Sequence, residues 1–146
     1  MSDETLFIDD DDRYSRFRLI AWWDQEKLAR AKVLVVGAGA LGNEVLKNLA
    51  LLGVGNVYIV DFDEIEESNL TRSVLFRSRD CGRPKAEAAA EMLRDINPQM
   101  TVKPMLANII TEVGLGMFSD VDVVIGCLDN REARLWVNRS CWKVNT

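Results

Sequence analysis

The stretch from Lys32 to Gly42 constrains the fold of this chain more than any other part of its sequence. It reads KVLVVGAGALG, a continuous apolar run followed by three glycines in the spacing G-x-G-x-x-G. An apolar run without alternation is typical of a strand that is buried on both faces of a parallel sheet. Residues 41–52 then carry apolar side chains at helical spacing, and Gly53 gives a helix stop signal. The stretch therefore predicts a strand, a tight glycine turn and a helix.

The three glycines of this turn have separate physical roles. Gly37 permits the tight turn, Gly39 lets backbone amides approach phosphate oxygens, and Gly42 lets the helix pack closely on the strand. Free N–H groups at the start of the helix then face an anion. Glycines also serve ordinary turns, but this position between a strand and a helix indicates a nucleotide site.

Two acidic residues follow the next apolar run. Asp61 ends that run, where a carboxylate accepts hydrogen bonds from ribose hydroxyls; the alternative is a solvated loop acid. Asp63 is a second candidate for the site, and its alternative role is to cap the next turn. Up to this point, NAD and ATP fit the pattern equally well.

Strand and helix patterns alternate along the rest of the chain, which predicts an α/β fold with a parallel sheet and right-handed crossovers. The predicted strands are Lys32–Gly37, Asn56–Val60, Met100–Leu106 and Val121–Cys127. The predicted helices are Gln25–Ala31, Leu41–Leu52, a helix from Pro84 to Asn97, Thr111–Phe118 and a helix from Asn130 onward. We expect the strand order 3-2-1-4 of a doubly wound, Rossmann-like sheet. Because a further strand would normally follow, we expect the fold to be incomplete at its C-terminal end.

Composition narrows the classes of function. The net charge of −5 argues against a general nucleic-acid-binding protein, which would be basic. No apolar run reaches the roughly 18 residues of a membrane span, and the acidic start lacks the features of a signal peptide. Three scattered cysteines suit the reducing cytoplasm. We expect residues 1–12 to form a flexible acidic tail and residues 13–146 to form one domain, a fragment of a longer protein.

Charged and polar side chains near the predicted strand ends favour ATP over NAD. Asn69 and Arg72 follow the second strand, Asp129 follows the fourth, Lys85 lies at the start of the alanine-rich helix, and Arg13 and Arg16 lie before the first strand. Because ligands bind at the carboxyl ends of strands in open α/β sheets, several cations and one carboxylate there match a triphosphate with magnesium. Hydride transfer usually needs an acid-base residue, and the chain has no histidine. Each charge taken alone also fits a solvated surface group, and Asp129 fits a cap of the last helix.

Six stretches in order resemble the E1-like, ThiF-type adenylating family. They are RYSR, VGAGALGNEVLKNLALLGVG, DFDEIEESNLTRSVLFR, GRPKAEAA, INP and CLDN, and the resemblance covers nearly everything from Arg13 to Asn138. The resemblance implies an enzyme that binds ATP and Mg²⁺ and adenylates the C-terminal carboxylate of a ubiquitin-like or sulfur-carrier protein. It also implies a homodimer.

The resemblance assigns a role to each matching position of this sequence. Gly37, Gly39 and Gly42 would form the phosphate turn, and Asp61 would hold the ribose. Asn69, Arg72 and Lys85 would face the phosphates. Asp129 would bind Mg²⁺, and Arg16 would reach into the site of a partner subunit. Phe17 departs from the glutamine that is usual after RYxR, and polar residues precede Gly82 where small apolar ones are common.

Three hypotheses remain open at this stage. The first is the E1-like adenylating enzyme, and the second is a relative that activates another carboxyl or carbonyl group, such as one on a modified tRNA base. The third is an NAD-dependent oxidoreductase or a non-catalytic dinucleotide-binding protein. Four tryptophans fit either helix packing or a dimer surface. Cys81 is either a reactive thiol beside two arginines or a loop cysteine without function.

Overall fold

The computed structural model describes residues 11–146 and confirms the predicted alternation of strands and helices. Most of the expected tail therefore lies outside the described residues. The strands are β1 (Lys32–Val36), β2 (Asn56–Val60), β3 (Thr101–Met105) and β4 (Val123–Gly126). The helices are α1 (Gln25–Arg30), α2 (Ala40–Leu52), α3 (Lys85–Ile96), α4 (Leu115–Ser119) and α5 (Arg131–Val144). Short 3-10 helices cover Ser15–Leu19, Glu67–Thr71 and Ser78–Asp80.

The four strands form one parallel sheet in the order β3-β2-β1-β4, which confirms the predicted topology. β3 is the outermost strand on one side of the sheet, a position that tolerates Pro104, which has no N–H group to donate. β4 is the outermost strand on the other side, and its Val123 is 48% exposed. Because all strands are parallel, their carboxyl ends share one edge of the sheet, called the carboxyl edge below. The opposite edge is called the amino edge.

Helices cover both faces of the sheet, so the central strand is buried on both sides. Val33 and Val35 of β1 pack on the face covered by α2 and α3, whereas Leu34 and Val36 pack on the face covered by α4 and α5. This explains why β1 reads as an unbroken apolar run rather than an alternating one. Phe118 of α4 is fully buried in the second face.

The helices differ from the sequence prediction mainly at their ends. The predicted helix over Thr111–Phe118 is shorter, because Gly114 precedes the first residue of α4 in an extended conformation. Pro84 lies just before α3 rather than inside it, with ψ 131°. Within residues 11–146, the longest helix has 14 residues, and none is long and apolar enough to cross a membrane.

The segment before α1 packs on the amino edge of the sheet. The Tyr14 hydroxyl accepts a hydrogen bond from Asn97 Nδ2 at 3.0 Å, and an Arg13 guanidinium nitrogen donates to the Ile96 carbonyl at 3.0 Å. Asn97 and Ile96 precede β3, so these contacts fix the segment at the end of the sheet remote from the glycine turn. The rings of Phe17 and Trp23 pack against each other in the same region, with centroids 4.5 Å apart and planes inclined at 44°.

Candidate nucleotide site

In the glycine turn between β1 and α2, Gly37 and Gly42 have no room for a side chain, whereas Gly39 does. Gly37 has a φ of 96°, and a Cβ atom there would lie 2.7 Å from the Cys127 carbonyl oxygen. A Cβ atom on Gly42 would lie 2.0 Å from the Gly37 carbonyl oxygen. A Cβ atom on Gly39 would meet no atom within 4 Å. The turn therefore leaves open space at Gly39, beside the N-terminus of the 13-residue helix α2.

Asp61 binds the glycine turn from the end of β2. Its carboxylate accepts hydrogen bonds from the backbone N–H of Ala38 at 2.7 Å and of Asp63 at 2.8 Å. Burial raises the pKa of Asp61, because the charged form loses hydration there; the two N–H donors and the nearby Lys85 oppose this shift. The carboxylate is therefore fixed in position next to the open turn.

Lys85 lies beside these acids at the start of α3. Its ammonium group forms an ion pair with Asp63 at 3.1 Å, and its backbone N–H donates to the Asp63 carbonyl at 2.9 Å. The Lys85 side chain is only 12% exposed, whereas that of Asp63 is 54% exposed. Asp63 therefore pairs with Lys85, and the next turn is capped by Glu66 rather than by Asp63.

Asn69 and Arg72 lie in the loop that follows. The Asn69 side chain accepts a hydrogen bond from the backbone N–H of Glu66 at 3.0 Å, which supports the 3-10 helix over Glu67–Thr71. A guanidinium nitrogen of Arg72 donates to the Ser68 carbonyl at 2.8 Å, and the side chain is exposed. Both residues are held within their own loop, so their approach to a phosphate remains a prediction.

Asp129 lies at the carboxyl edge, shortly after the end of β4. The backbone N–H of Cys127 donates to the Val36 carbonyl at 2.8 Å, which holds the end of β4 against the start of the glycine turn. Asn130, not Asp129, caps α5 through hydrogen bonds from the N–H groups of Glu132 and Ala133. The capping role considered for Asp129 is therefore wrong, and its exposed carboxylate makes no hydrogen bond or ion pair within residues 11–146.

Arg16 lies apart from the other candidates. It belongs to the 3-10 helix over Ser15–Leu19, whose neighbours Arg13 and Tyr14 contact the amino edge. The glycine turn, Asp61 and Lys85 lie at the carboxyl edge, one strand length away. Arg16 is therefore not part of the site of its own chain.

The cysteines do not have the character of reactive thiols. Burial raises the pKa of Cys127 and of Cys141, and burial together with a hydrogen bond to Glu67 raises the pKa of Cys81. A raised pKa keeps a thiol protonated at neutral pH, and the thiolate is the reactive form. This environment supports the interpretation of Cys81 as a loop cysteine without function.

Sequence reasoning missed one polar residue of the site, Asn43. It is fully buried in the first turn of α2, where its side chain contacts the glycine turn and a loop beyond β2. An asparagine directly after the third glycine, on the helix face that packs on the sheet, is the only signal that the sequence offered.

An open glycine turn, a fixed carboxylate at the end of β2 and a neighbouring lysine define a nucleotide-binding domain of the doubly wound α/β class. The comparisons with known proteins specify it further. The chain belongs to the ThiF family, which its sequence matches over residues 12–146.

Similar proteins are named as activating enzymes and adenylyltransferases. The chain is 48% identical over 126 residues to the human ubiquitin-like modifier-activating enzyme 7, covering 80% of this chain and 12% of that protein. It is 43% identical to the adenylyltransferase and sulfurtransferase uba4 of Aspergillus fumigatus, covering 78% of this chain and 23% of that protein. It also resembles E. coli MccB solved with ATP, with a TM-score of 0.80 and 32% identity over 92% of this chain and 43% of that one. The chain thus spans only a minor part of each relative.

Proposed function

We propose that this chain is the ATP-binding part of an enzyme that adenylates the C-terminal carboxylate of a ubiquitin-like or sulfur-carrier protein. The observation that carries the proposal is the open position at Gly39, next to the Asp61 carboxylate. A nucleotide phosphate fits against the free N–H groups of α2 while its ribose meets Asp61. The similarity to activating enzymes and to an ATP complex of MccB supports ATP as the nucleotide.

The chemistry requires positioning and charge neutralisation rather than an enzyme nucleophile. The substrate carboxylate attacks the α-phosphorus, a new C–O–P linkage forms, and the bond to the bridging oxygen of pyrophosphate breaks. Negative charge then increases on the pyrophosphate. Lys85 and Arg72 are the cations proposed to neutralise it, Lys85 as a point charge and Arg72 through its planar fork. Asn69 is proposed to contact the phosphates from the same loop.

Magnesium is proposed to enter with ATP rather than to occupy a resident protein site. No group of three or more acidic or cysteine ligands that could hold a metal exists in the described part of the chain. Mg²⁺ is commonly held by one or two carboxylates together with substrate phosphates. The exposed Asp129 carboxylate fits that arrangement, and the metal would neutralise phosphate charge when bound there.

The position of Arg16 supports the proposal of a homodimer. An arginine at the amino edge of one subunit can act only on a site of another molecule placed against that edge. We propose that Arg16 does so, and that the packed aromatic rings of Phe17 and Trp23 lie close to that contact. We also propose that the protein functions in the cytoplasm, on the basis of its three free cysteines.

Nucleotide choice is the first test of the proposed function. We expect calorimetric titration of the chain with Mg·ATP to show saturable binding, and titration with NADH to show binding at least about tenfold weaker. Tighter binding of NADH would favour the oxidoreductase or dinucleotide-binding alternative. Detection of a carrier-protein adenylate by mass spectrometry would then separate the proposed activity from activation of another carboxyl or carbonyl group.

The raised pKa of Asp61 gives a second test, in the pH dependence of ATP binding. The ribose hydroxyls need the ionised carboxylate as an acceptor, so affinity should fall as pH decreases through the pKa of Asp61. Because burial raises that pKa above 3.8, the loss should begin at a higher pH than for an ordinary aspartate. In Asp61→Asn this inflection should disappear from a titration series, and its persistence would assign it to another group.

The same shift affects the stability of the fold in the opposite direction. A carboxyl group whose pKa is raised on folding stabilises the protein at low pH, and this contribution is lost as pH rises through the folded-state pKa. At neutral pH, ionised Asp61 therefore opposes folding. A group that weakens the fold while remaining fixed by two N–H donors is typical of a functional position.

A further inference from the structure

Asn43 links two segments of the site that are far apart in sequence. Its side-chain amide donates hydrogen bonds to the carbonyl oxygens of Ala38 at 2.8 Å and Gly39 at 3.0 Å. Its side-chain oxygen accepts a hydrogen bond from the backbone N–H of Leu75 at 2.9 Å. The first two partners belong to the glycine turn, and the third belongs to residues 72–76, called the Arg72 loop below.

The linkage is rigid because every part of it is buried or paired. Asn43 is fully buried, and Leu75 and Phe76 of the Arg72 loop are only 2% and 3% exposed. A buried amide that loses its partners is costly, so the three hydrogen bonds hold the side chain in one orientation. The Arg72 loop therefore cannot shift relative to the glycine turn without breaking a buried hydrogen bond.

We propose that Asn43 is a positioning residue that holds the glycine turn and the Arg72 loop in the relative geometry that one polyphosphate needs. This inference rests on the proposed function, because it assigns the turn and Arg72 to the same nucleotide. Asn43 does not contact the nucleotide itself. It acts through the carbonyl groups that orient the turn and through the N–H group that fixes the loop.

Asn97 provides a matched control at the other edge of the sheet. It is also buried, and its amide donates to the Ala50 carbonyl at 3.1 Å and to the Tyr14 hydroxyl at 3.0 Å. Its side-chain oxygen accepts from the N–H of Gln99 at 3.3 Å. Asn97 therefore has the same chemistry and a similar burial, but it is remote from the glycine turn.

The test compares Asn43→Ala and Asn97→Ala in titrations with Mg·ATP and with adenosine. We expect Asn43→Ala to bind Mg·ATP about tenfold more weakly and adenosine within about twofold of the wild type, because adenosine has no phosphates to misplace. Asn97→Ala should bind both ligands within about twofold of the wild type. A purely structural role would weaken both ligands equally in Asn43→Ala, and that result, or unchanged Mg·ATP affinity, would overturn the inference.

A second measurement uses the wild-type protein, so it does not require that any variant folds. We expect saturating Mg·ATP to slow hydrogen exchange at the Leu75 amide more than at the Gln99 amide, which Asn97 holds in the corresponding way. Equal slowing at both amides would contradict the coupling. If the wild type binds no Mg·ATP, the proposed function fails; if it binds but shows neither effect, only the role of Asn43 fails.

Coupling to Arg72 is measured by a double-mutant cycle with the milder change Asn43→Ser. If Asn43 acts by positioning Arg72, the losses of Mg·ATP affinity in Asn43→Ser and Arg72→Ala should be less than additive in the double variant. Strictly additive losses would show that the two residues act independently and would overturn the inference.

Discussion

Replacing Lys85 with alanine should lower the proposed ATP–pyrophosphate exchange by about 10²–10³, the loss typical for removal of one preorganised charge donor. Lys85 is held beside Asp63 and close to Asp61, at the edge where the glycine turn is open. Its charge is proposed to stabilise the pyrophosphate as that group leaves. Exchange should be measured with the carrier protein present, and Asp129→Ala should give a loss of similar size.

Lys32→Ala is the matched control for this experiment. Lys32 also forms an ion pair with an aspartate, Asp120, at 2.9 Å, but it lies at the amino edge. The Lys32–Asp120 pair is exposed, and exposed ion pairs stabilise proteins by about 1 kcal/mol or less, so Lys32→Ala should not unfold. Because Lys85 is largely buried, the denaturation midpoint of Lys85→Ala should be measured alongside its exchange activity. Exchange close to wild type in both Lys85→Ala and Asp129→Ala would disprove the assignment of these two residues to the site.

Replacing Gly42 with alanine will destabilise the fold by about 3 kcal/mol or more. The added Cβ would lie 2.0 Å from the Gly37 carbonyl oxygen and 2.9 Å from the Gly37 carbonyl carbon. Backbone atoms cannot move aside as the end of a side chain can, so the helix and the strand must separate. Chemical denaturation will report the loss as a lower midpoint.

Gly39→Ala separates binding from stability. The added methyl group meets no atom within 4 Å, and Gly39 has an ordinary φ of −73°. We expect the free energy of unfolding to change by about 1 kcal/mol or less. We expect Mg·ATP to bind about tenfold more weakly or worse, because the methyl group occupies space proposed for a phosphate oxygen. Unchanged affinity would place the phosphates elsewhere, and a stability loss equal to that of Gly42→Ala would contradict the open turn.

The sequence predicted the topology because each element carried a strong local signal. The unbroken apolar run of β1 indicated a strand buried on both faces, and the helix between successive strands required parallel pairing. Together with the doubly wound pattern, which reverses the strand order at β1, they predict the strand order that the structure shows. The positions of Asp61 and Asp129 followed as well, because residues after parallel strands meet at one edge.

The contacts of the site could not be predicted, because they join residues that are remote in sequence. The ion pair between Lys85 and Asp63 depends on how α3 returns to the sheet, and no local pattern records that path. Asn43 lies in a helix, where a polar residue ordinarily faces solvent, and only the tertiary structure places it beside Leu75. The packing of the segment around Arg16 on the amino edge is likewise set by long-range hydrogen bonds.

The ion pair between Lys85 and Asp63 has a consequence for the kind of anion that the site selects. A polyphosphate that takes Lys85 as its partner leaves Asp63 uncompensated, close to the half-buried carboxylate of Asp61. A singly charged ligand would gain one attraction and lose another of similar size. A ligand with several negative charges can attract further cations at the same time. Replacement of Asp63 as the partner of Lys85 therefore favours triphosphates over anions of lower charge.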